Sequence, residues 1–383
     1  MKIMIETGWC SLSKYGEELC GDNIEIARTP DAVVAVLADG LGSGVKANIL
    51  SKMTAKIIVT MVEKGATLPE VVETVTDTLP ICQKRNLAYS TFTIIHVRND
   101  GATYIVEFDN PTVFYLGQGK IRKIDSRLIE LCGKQIKESR FRMQPGDTLL
   151  AVSDGVIHAG IGEILNLGWQ WENVAEYLER QADDNPNAES WCRWLLSACE
   201  QLYAGKPGDD TSVLAVKVRY PQTLTVALGP PRNPADDAEL VHLIMEEPGK
   251  RVICGGTTGN IVAKFLKQEI QVNLEQLDPV VPPTGQLKGM ELVTEGIITV
   301  SKTLEYLQRF PTSKQLPELD NGAVALARLL LESDKIRFLV GKAVNPAHQN
   351  PDLPLNATLK MQVVTQIFEL MQKRGKEVMV QYF

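Results

Sequence analysis

Residues 32–44 read Ala32-Val33-Val34-Ala35-Val36-Leu37-Ala38-Asp39-Gly40-Leu41-Gly42-Ser43-Gly44. The first six form a short, continuous, apolar run rich in β-branched residues, which predicts a buried strand. A carboxylate follows directly, and then a glycine-rich turn. From Lys46 to Glu63 apolar residues recur at helical spacing, which predicts an amphipathic helix with Ile49, Leu50, Met53, Ile57 and Met61 on one face. Asp39 therefore sits where a buried strand hands over to a helix. A carboxylate there is costly to desolvate unless a cation or hydrogen-bond donors compensate it.

The same placement recurs. Asp22 lies in Cys20-Gly21-Asp22-Asn23, and Asp154 follows the apolar run Thr148–Val152 in Val152-Ser153-Asp154-Gly155. Asp209 lies in Gly208-Asp209-Asp210-Thr211-Ser212, just before the run Ser212–Val216. Each acid taken alone reads as turn chemistry, since aspartate tolerates unusual backbone angles. As a set, brought together by a layered sheet, they predict a site for one or two Mg²⁺ or Mn²⁺ ions, hard cations that take oxygen ligands.

Further strands are expected at Ser90–Ile95 and Ala102–Val106, with a hairpin turn at Asp100-Gly101. Helices are expected at Leu68–Leu79 and from Trp171 to Tyr203, with a break near Asp183–Pro186. Strands with segregated helices suggest an α+β fold. Four prolines between Tyr220 and Asp237 mark a junction. The chain is thus read as two domains, 1–219 and 220–383. The second alternates strand and helix: strands at Thr223–Leu228, Arg251–Cys254, Lys335–Val340 and Val378–Phe383, helices at Thr258–Gln268, Glu291–Phe310, Ala323–Ser333 and Leu355–Lys373. That pattern predicts a smaller α/β domain with a partly parallel sheet.

The chain has 383 residues and a net charge of −7, with Lys+Arg 40 against Asp+Glu 47. That balance argues against a binder of nucleic acid or membrane surfaces. No apolar run of membrane-spanning length occurs, and the first residues have no signal-peptide pattern, so a cytoplasmic protein is expected. There are seven cysteines and no C-x-x-C pair, which suits reduced thiols serving as small buried hydrophobes.

Taken in order, Gly21-Asp22-Asn23, Asp39-Gly40-Leu41-Gly42-Ser43-Gly44, Ser90-Thr91, Ser153-Asp154-Gly155 and Asp209-Asp210-Thr211-Ser212 resemble the metal-dependent serine/threonine phosphatases of the protein phosphatase 2C type. The bacterial stage II sporulation protein E family is the most similar branch, over roughly residues 1–219. The resemblance implies an αββα sandwich of two antiparallel sheets with a centre of two Mn²⁺ or Mg²⁺ ions at one edge. It implies that Asp39 bridges the ions, that Gly40 lends a backbone carbonyl, that Asp154 and Asp209 are ligands, and that Asp22 acts through water. Asp210 is left outside this set. It further implies hydrolysis of a phosphoserine or phosphothreonine protein, such as an anti-sigma-factor-antagonist-like partner, in bacterial signalling. In similar phosphatases the helical pair after the Asp39-Gly40 turn acts as a switch.

Some features stay open. His158, four residues after Asp154, suits a general acid by residue type and equally a helix-start or core histidine. Lys14 reads as a solvated lysine rather than a phosphate grip. In the second domain, Gly255-Gly256-Thr257-Thr258-Gly259 joins a strand to a helix and suits either an anion cradle for a small ligand or a tight turn capped by threonine. Beside the phosphatase stands a second reading: a catalytically weak or inactive phosphatase-like signalling module whose second domain binds a ligand or partner.

Overall fold

The computed structural model describes residues 3–78, 81–82, 87–88, 90–131, 133–162, 164–182, 185–273, 278–343 and 355–383. Cys132, Leu79 and the Asp183-Asp184 break lie outside them. The chain divides into two compact units, Met1–Tyr220 and Pro221–Phe383.

The first unit contains two antiparallel sheets. One runs in the order β1 (Met4–Leu12), β13 (Thr211–Arg219), β12 (Thr148–Val152), β8 (Phe114–Gly117), β9 (Lys120–Arg122). The other runs β10 (Ser126–Leu131), β11 (Lys134–Arg142), β7 (Ala102–Phe108), β6 (Ser90–Arg98), β3 (Ala32–Gly40), β2 (Asp22–Arg28). A two-residue pair, β4 (Ile81–Cys82) and β5 (Leu87–Ala88), stands apart.

Alternation along the strands builds three layers of core. Val33, Ala35 and Leu37 of β3 pack between the sheets against Leu149, Ala151 and Leu214. Val34 and Val36 face the other way, onto α1 (Gly44–Glu63) and α2 (Leu68–Thr78). The outer face of the first sheet is covered by α4 (Trp171–Gln181) and α5 (Ala188–Leu202) through Val174, Leu178, Trp191 and Leu195, with the short α3 (Asp154–Ile157) at its edge. The result is an αββα sandwich. Because β3 is covered on both faces, its sequence is continuously apolar rather than alternating.

The α1 helix departs from the sequence expectation. Ile49, Met53 and Ile57 are exposed, at 52%, 56% and 38%, and it is Ala47, Ser51, Thr54, Ala55, Ile58 and Val59 that are buried. The reason is close approach: a Cβ at Gly40 would lie 2.1 Å from the Ala47 carbonyl oxygen, so the near end of the packed face admits only small residues. Ile58 and Val59, farther along, carry the larger apolar burial, about 1.5–3 kcal/mol for each fully buried side chain.

The second unit is a doubly wound sheet. Its parallel strands stand in the order β18 (Leu292–Thr294), β15 (Lys250–Cys254), β14 (Thr223–Leu228), β19 (Lys335–Val340), β20 (Glu377–Tyr382). Two short strands, β16 (Gln271–Val272) and β17 (Gly285–Gln286), extend the β18 edge in antiparallel fashion. Helices α6 (Asp237–Glu246) and α7 (Gly256–Leu266) cover one face through Leu240, Ile244 and Val262. Helices α8 (Ile297–Arg309), α9 (Gly322–Glu332) and α10 (Leu355–Lys373) cover the other. The expected helix at Glu291–Phe310 is corrected here: its first residues are β18, and the helix starts only after Gly296. Leu292–Thr294 pair with Val252–Cys254, a tertiary contact that overrides local helical pattern.

Candidate metal centre

The β2–β3 hairpin sets the first half of the site. Its register makes Asp22 and Asp39 direct cross-strand partners, at the strand ends nearest α1. On the other side of β3, Asp39 pairs with Thr91 and Gly40 with Ser90, whose hydroxyl donates to the Asp39 carbonyl at 2.9 Å. The second half comes from the other sheet. Asp154 opens α3 at the end of β12, and Asp209-Asp210 precede β13.

Backbones crowd at these junctions. A Cβ at Gly155 would meet the Asp210 carbonyl oxygen at 2.2 Å, so the glycine after Asp154 serves close chain approach. The Ser153 hydroxyl donates to that same carbonyl at 3.4 Å and accepts from the Ser212 amide at 2.9 Å, tying the two strand ends together.

The five carboxylates feel one another. Burial, then the charges of Asp22, Asp154, Asp209 and Asp210, push Asp39 up to about 9. Burial is also the main cause that raises Asp22 to about 7. Asp154 is raised by burial and then by Asp209, and Asp210 is raised by burial. Both side-chain oxygens of the buried Asp22, and Oδ2 of Asp210, have no hydrogen-bond partner. The nearby Ser153 and Ser212 hydroxyls favour ionised Asp22, yet neither makes a hydrogen bond to it; the Ser212 hydroxyl donates instead to Ser11 Oγ at 2.7 Å.

Lys14 approaches this cluster. Its ammonium lies 3.8 Å from Asp209 Oδ1, and its backbone amide donates to Asp210 Oδ1 at 3.0 Å. The Lys14 side chain is 39% exposed, and the fold brings it to the acidic pair across the chain. Asp210, left outside the expected set, is buried in the cluster, while the Asp209 side chain is 44% exposed. His158 is exposed at the end of α3, close enough for its charge to favour ionised Asp154.

Among the described residues, no three His, Cys, Asp or Glu side chains stand in a ready-made metal-ligating group. The donor chemistry nonetheless fits a hard divalent cation. Unpartnered buried carboxylate oxygens, repelling one another, are what a cation would satisfy. Cys10, Cys20, Cys192, Cys199 and Cys254 carry free thiols. Burial raises Cys20, beside the cluster, to about 12, so it is no thiolate nucleophile near neutral pH.

In the second unit β15 passes into α7 through Gly255 alone, so the expected turn Gly256–Gly259 is already the first helical turn, and no threonine side chain caps it. Among the described residues, no helix is long and apolar enough to cross a membrane.

Residues 29–219 match the model of the stage II sporulation protein E (SpoIIE) family. No curated protein matches the chain. Among solved structures, the PP2C phosphatase domain of SpoIIE from Bacillus subtilis, with a fragment of its regulatory domain, is 19% identical; the match covers 57% of this chain and 63% of that one, with a TM-score of 0.49. The chain thus spans less than two thirds of that structure. The RsbU and RsbW domains of a Mycobacterium tuberculosis protein are 17% identical, covering 64% and 69% at a TM-score of 0.44. RsbX in complex with magnesium is 14% identical, covering 57% and 98% at a TM-score of 0.40.

Proposed function

Residues 29–219 belong to the stage II sporulation protein E family of PP2C-type phosphatase domains, and we propose from that membership that the chain is a divalent-metal-dependent phosphatase acting on phosphoserine or phosphothreonine of a signalling protein. The observation that carries this reading is the convergence of Asp22, Asp39, Asp154, Asp209 and Asp210 from two sheets, with the Asp22 oxygens unpartnered.

Asp39, the Gly40 carbonyl, Asp154 and Asp209 would hold a pair of Mn²⁺ or Mg²⁺ ions, with Asp22 behind them through water. Bound there, such ions supply activation of water and neutralisation of phosphoryl charge. The chain's own residues do the rest. The Ser90 hydroxyl and the Ser153–Asp210 tie fix the backbone on which the acids ride. Lys14 places a positive charge beside Asp209. His158, exposed beside Asp154, is the candidate proton donor to the leaving serine oxygen. An anti-sigma-factor-antagonist-like phosphoprotein is the substrate class that fits this family.

A second reading is a phosphatase-like signalling module with little or no turnover. Phosphate release from p-nitrophenyl phosphate and phosphoserine peptides separates the two. The phosphatase reading expects release with Mn²⁺, none with EDTA, and loss in Asp39→Asn. No metal-dependent release on any substrate supports the module; release that survives Asp39→Asn breaks the residue assignment.

A further inference from the structure

We propose that the second unit binds a phosphate-bearing organic molecule at the carboxyl edge of its parallel sheet, with the phosphate between the first turn of α7 and the Lys360 ammonium. The inference stands independently of the chemistry of the first unit.

The strand order supplies the location. Numbered as they occur along the chain, the five parallel strands stand 3-2-1-4-5, with β14 as the first and β19 as the fourth. The chain winds outward in one direction through β15 and β18 and in the other through β19 and β20. The covering helices change face at the same point, α6 and α7 on one side, α8 to α10 on the other. Connections leaving opposite ways open a crevice beyond the carboxyl ends of β14 and β19, where open α/β sheets take their ligands.

Side-chain-free backbone lines that crevice. Gly229, Gly255 and Gly341 directly follow β14, β15 and β19, and they are stitched in a row: Gly255 N–H donates to Thr294 O at 2.8 Å, Gly229 N–H to Cys254 O at 3.3 Å, and Gly341 N–H to Leu228 O at 3.0 Å. The eleven-residue α7 starts at this edge. It has no acidic residue in its own first turn and no side-chain cap, so its N-terminal partial positive charge faces the crevice, with the exposed Glu295 beside Gly256.

Two side chains point to what the crevice takes. Thr258, in the first turn of α7, is 0% exposed, yet its hydroxyl has no hydrogen-bond partner. Its Oγ1 lies 3.7 Å from where a Cβ on Gly255 would stand, so it faces the turn rather than the core. A buried hydroxyl without a partner is costly to the fold unless something else satisfies it. Lys360, on α10, is half-buried and donates to the Gly341 carbonyl. Its Nζ lies 2.8 Å from the Cβ position of Gly229, whose own nitrogen is 3.9 Å from the Cβ position of Gly255. The ammonium and the helix start therefore face one small space. Burial holds the Lys360 amine below its ordinary value, the behaviour of a cation short of a counter-charge.

Glu295, exposed just after β18, narrows the ligand class. Its Oε1 lies 3.5 Å from the Cβ position of Gly256. A carboxylate there opposes an anion beside Gly256 and accepts from a hydroxyl, which sets the phosphate toward Lys360 and a hydroxyl-bearing organic part toward Glu295.

Isothermal titration of the full chain in EDTA with ADP, NAD⁺, inorganic phosphate and adenosine tests the proposal. ADP or NAD⁺ is expected to bind wild type and Asp39→Asn alike, with adenosine silent and inorganic phosphate much weaker. Lys360→Met should weaken binding roughly tenfold, about 1.4 kcal/mol. The nearly isosteric Thr258→Val, checked for an unchanged melting curve, should weaken it several-fold and keeps the test open if Lys360→Met fails to fold. No binding of ADP, NAD⁺ or phosphate at millimolar concentration overturns the proposal. So does binding lost in Asp39→Asn and kept in the Lys360 and Thr258 variants, which would place the phosphate in the first unit.

Discussion

Asp22 and Asp39 stand directly opposite one another across β2 and β3, two carboxylates in one cross-strand pair. Like charges so placed oppose the fold unless one is protonated or a cation lies between them. Most of what the first unit is expected to do in solution follows from that pair.

Stability of the metal-free protein should fall as pH rises. A carboxyl whose folded value is raised holds its proton more tightly when folded, so its contribution is full below the ordinary 3.8 and is lost as pH passes through the folded value. With Asp22 at about 7 and Asp39 at about 9, the window runs from the ordinary value up to about 9. In EDTA, urea unfolding should therefore show lower stability at pH 8 than at pH 5.5, by at least about 1.4 kcal/mol, the worth of one unit. Asp39→Asn should flatten the slope, and Mn²⁺ should restore stability at pH 8. A slope of opposite sign would contradict the cluster's electrostatics.

Gly40→Ala should destabilise the first unit by about 1–3 kcal/mol or more, because the new methyl meets the Ala47 carbonyl oxygen at 2.1 Å and must push α1 off the sheet. Chemical unfolding measures this; a neutral substitution would mean that α1 is not packed as described.

The two faces of α1 should respond oppositely. Ile58→Ala removes a fully buried side chain and should cost about 2–5 kcal/mol. Ile49→Gln and Met53→Gln, on the exposed face, should change stability by about 0.5 kcal/mol or less. Equal costs on both faces would reverse the assigned packing.

Mn²⁺ should slow backbone hydrogen exchange in α1 and α2. The α1 helix starts four residues after Gly40, and the helical pair packs on the sheet that carries Asp22 and Asp39, so loading the acids should steady it. Equal protection with and without Mn²⁺ would argue against a switch in these helices.

Much of this was legible in residues 32–44. A doubly covered strand writes itself as an unbroken apolar run, and a carboxylate at its end stands out against it. The partner of Asp39 was less visible, because hairpin register decides whether Asp22 faces it. Apolar periodicity points to the wrong face of α1 because it takes large residues to face the core, whereas here Ala47 and Ser51 do. Lys14 lies far from Asp209 in sequence, and no local pattern announces that meeting. The strand order of the second unit depends on long-range pairing, so Gly255–Gly259 reads locally as a strand–helix junction and not as the edge of a crevice shared with Lys360.

The central claim is that the converging aspartates are a divalent-cation site. Equilibrium dialysis of the full chain against Mn²⁺ at pH 8 tests it most directly. The account predicts a pair of ions bound per chain, lost or reduced in Asp39→Asn and displaced by Mg²⁺. Wild type that retains no Mn²⁺, or Asp39→Asn that binds as wild type does, would contradict it.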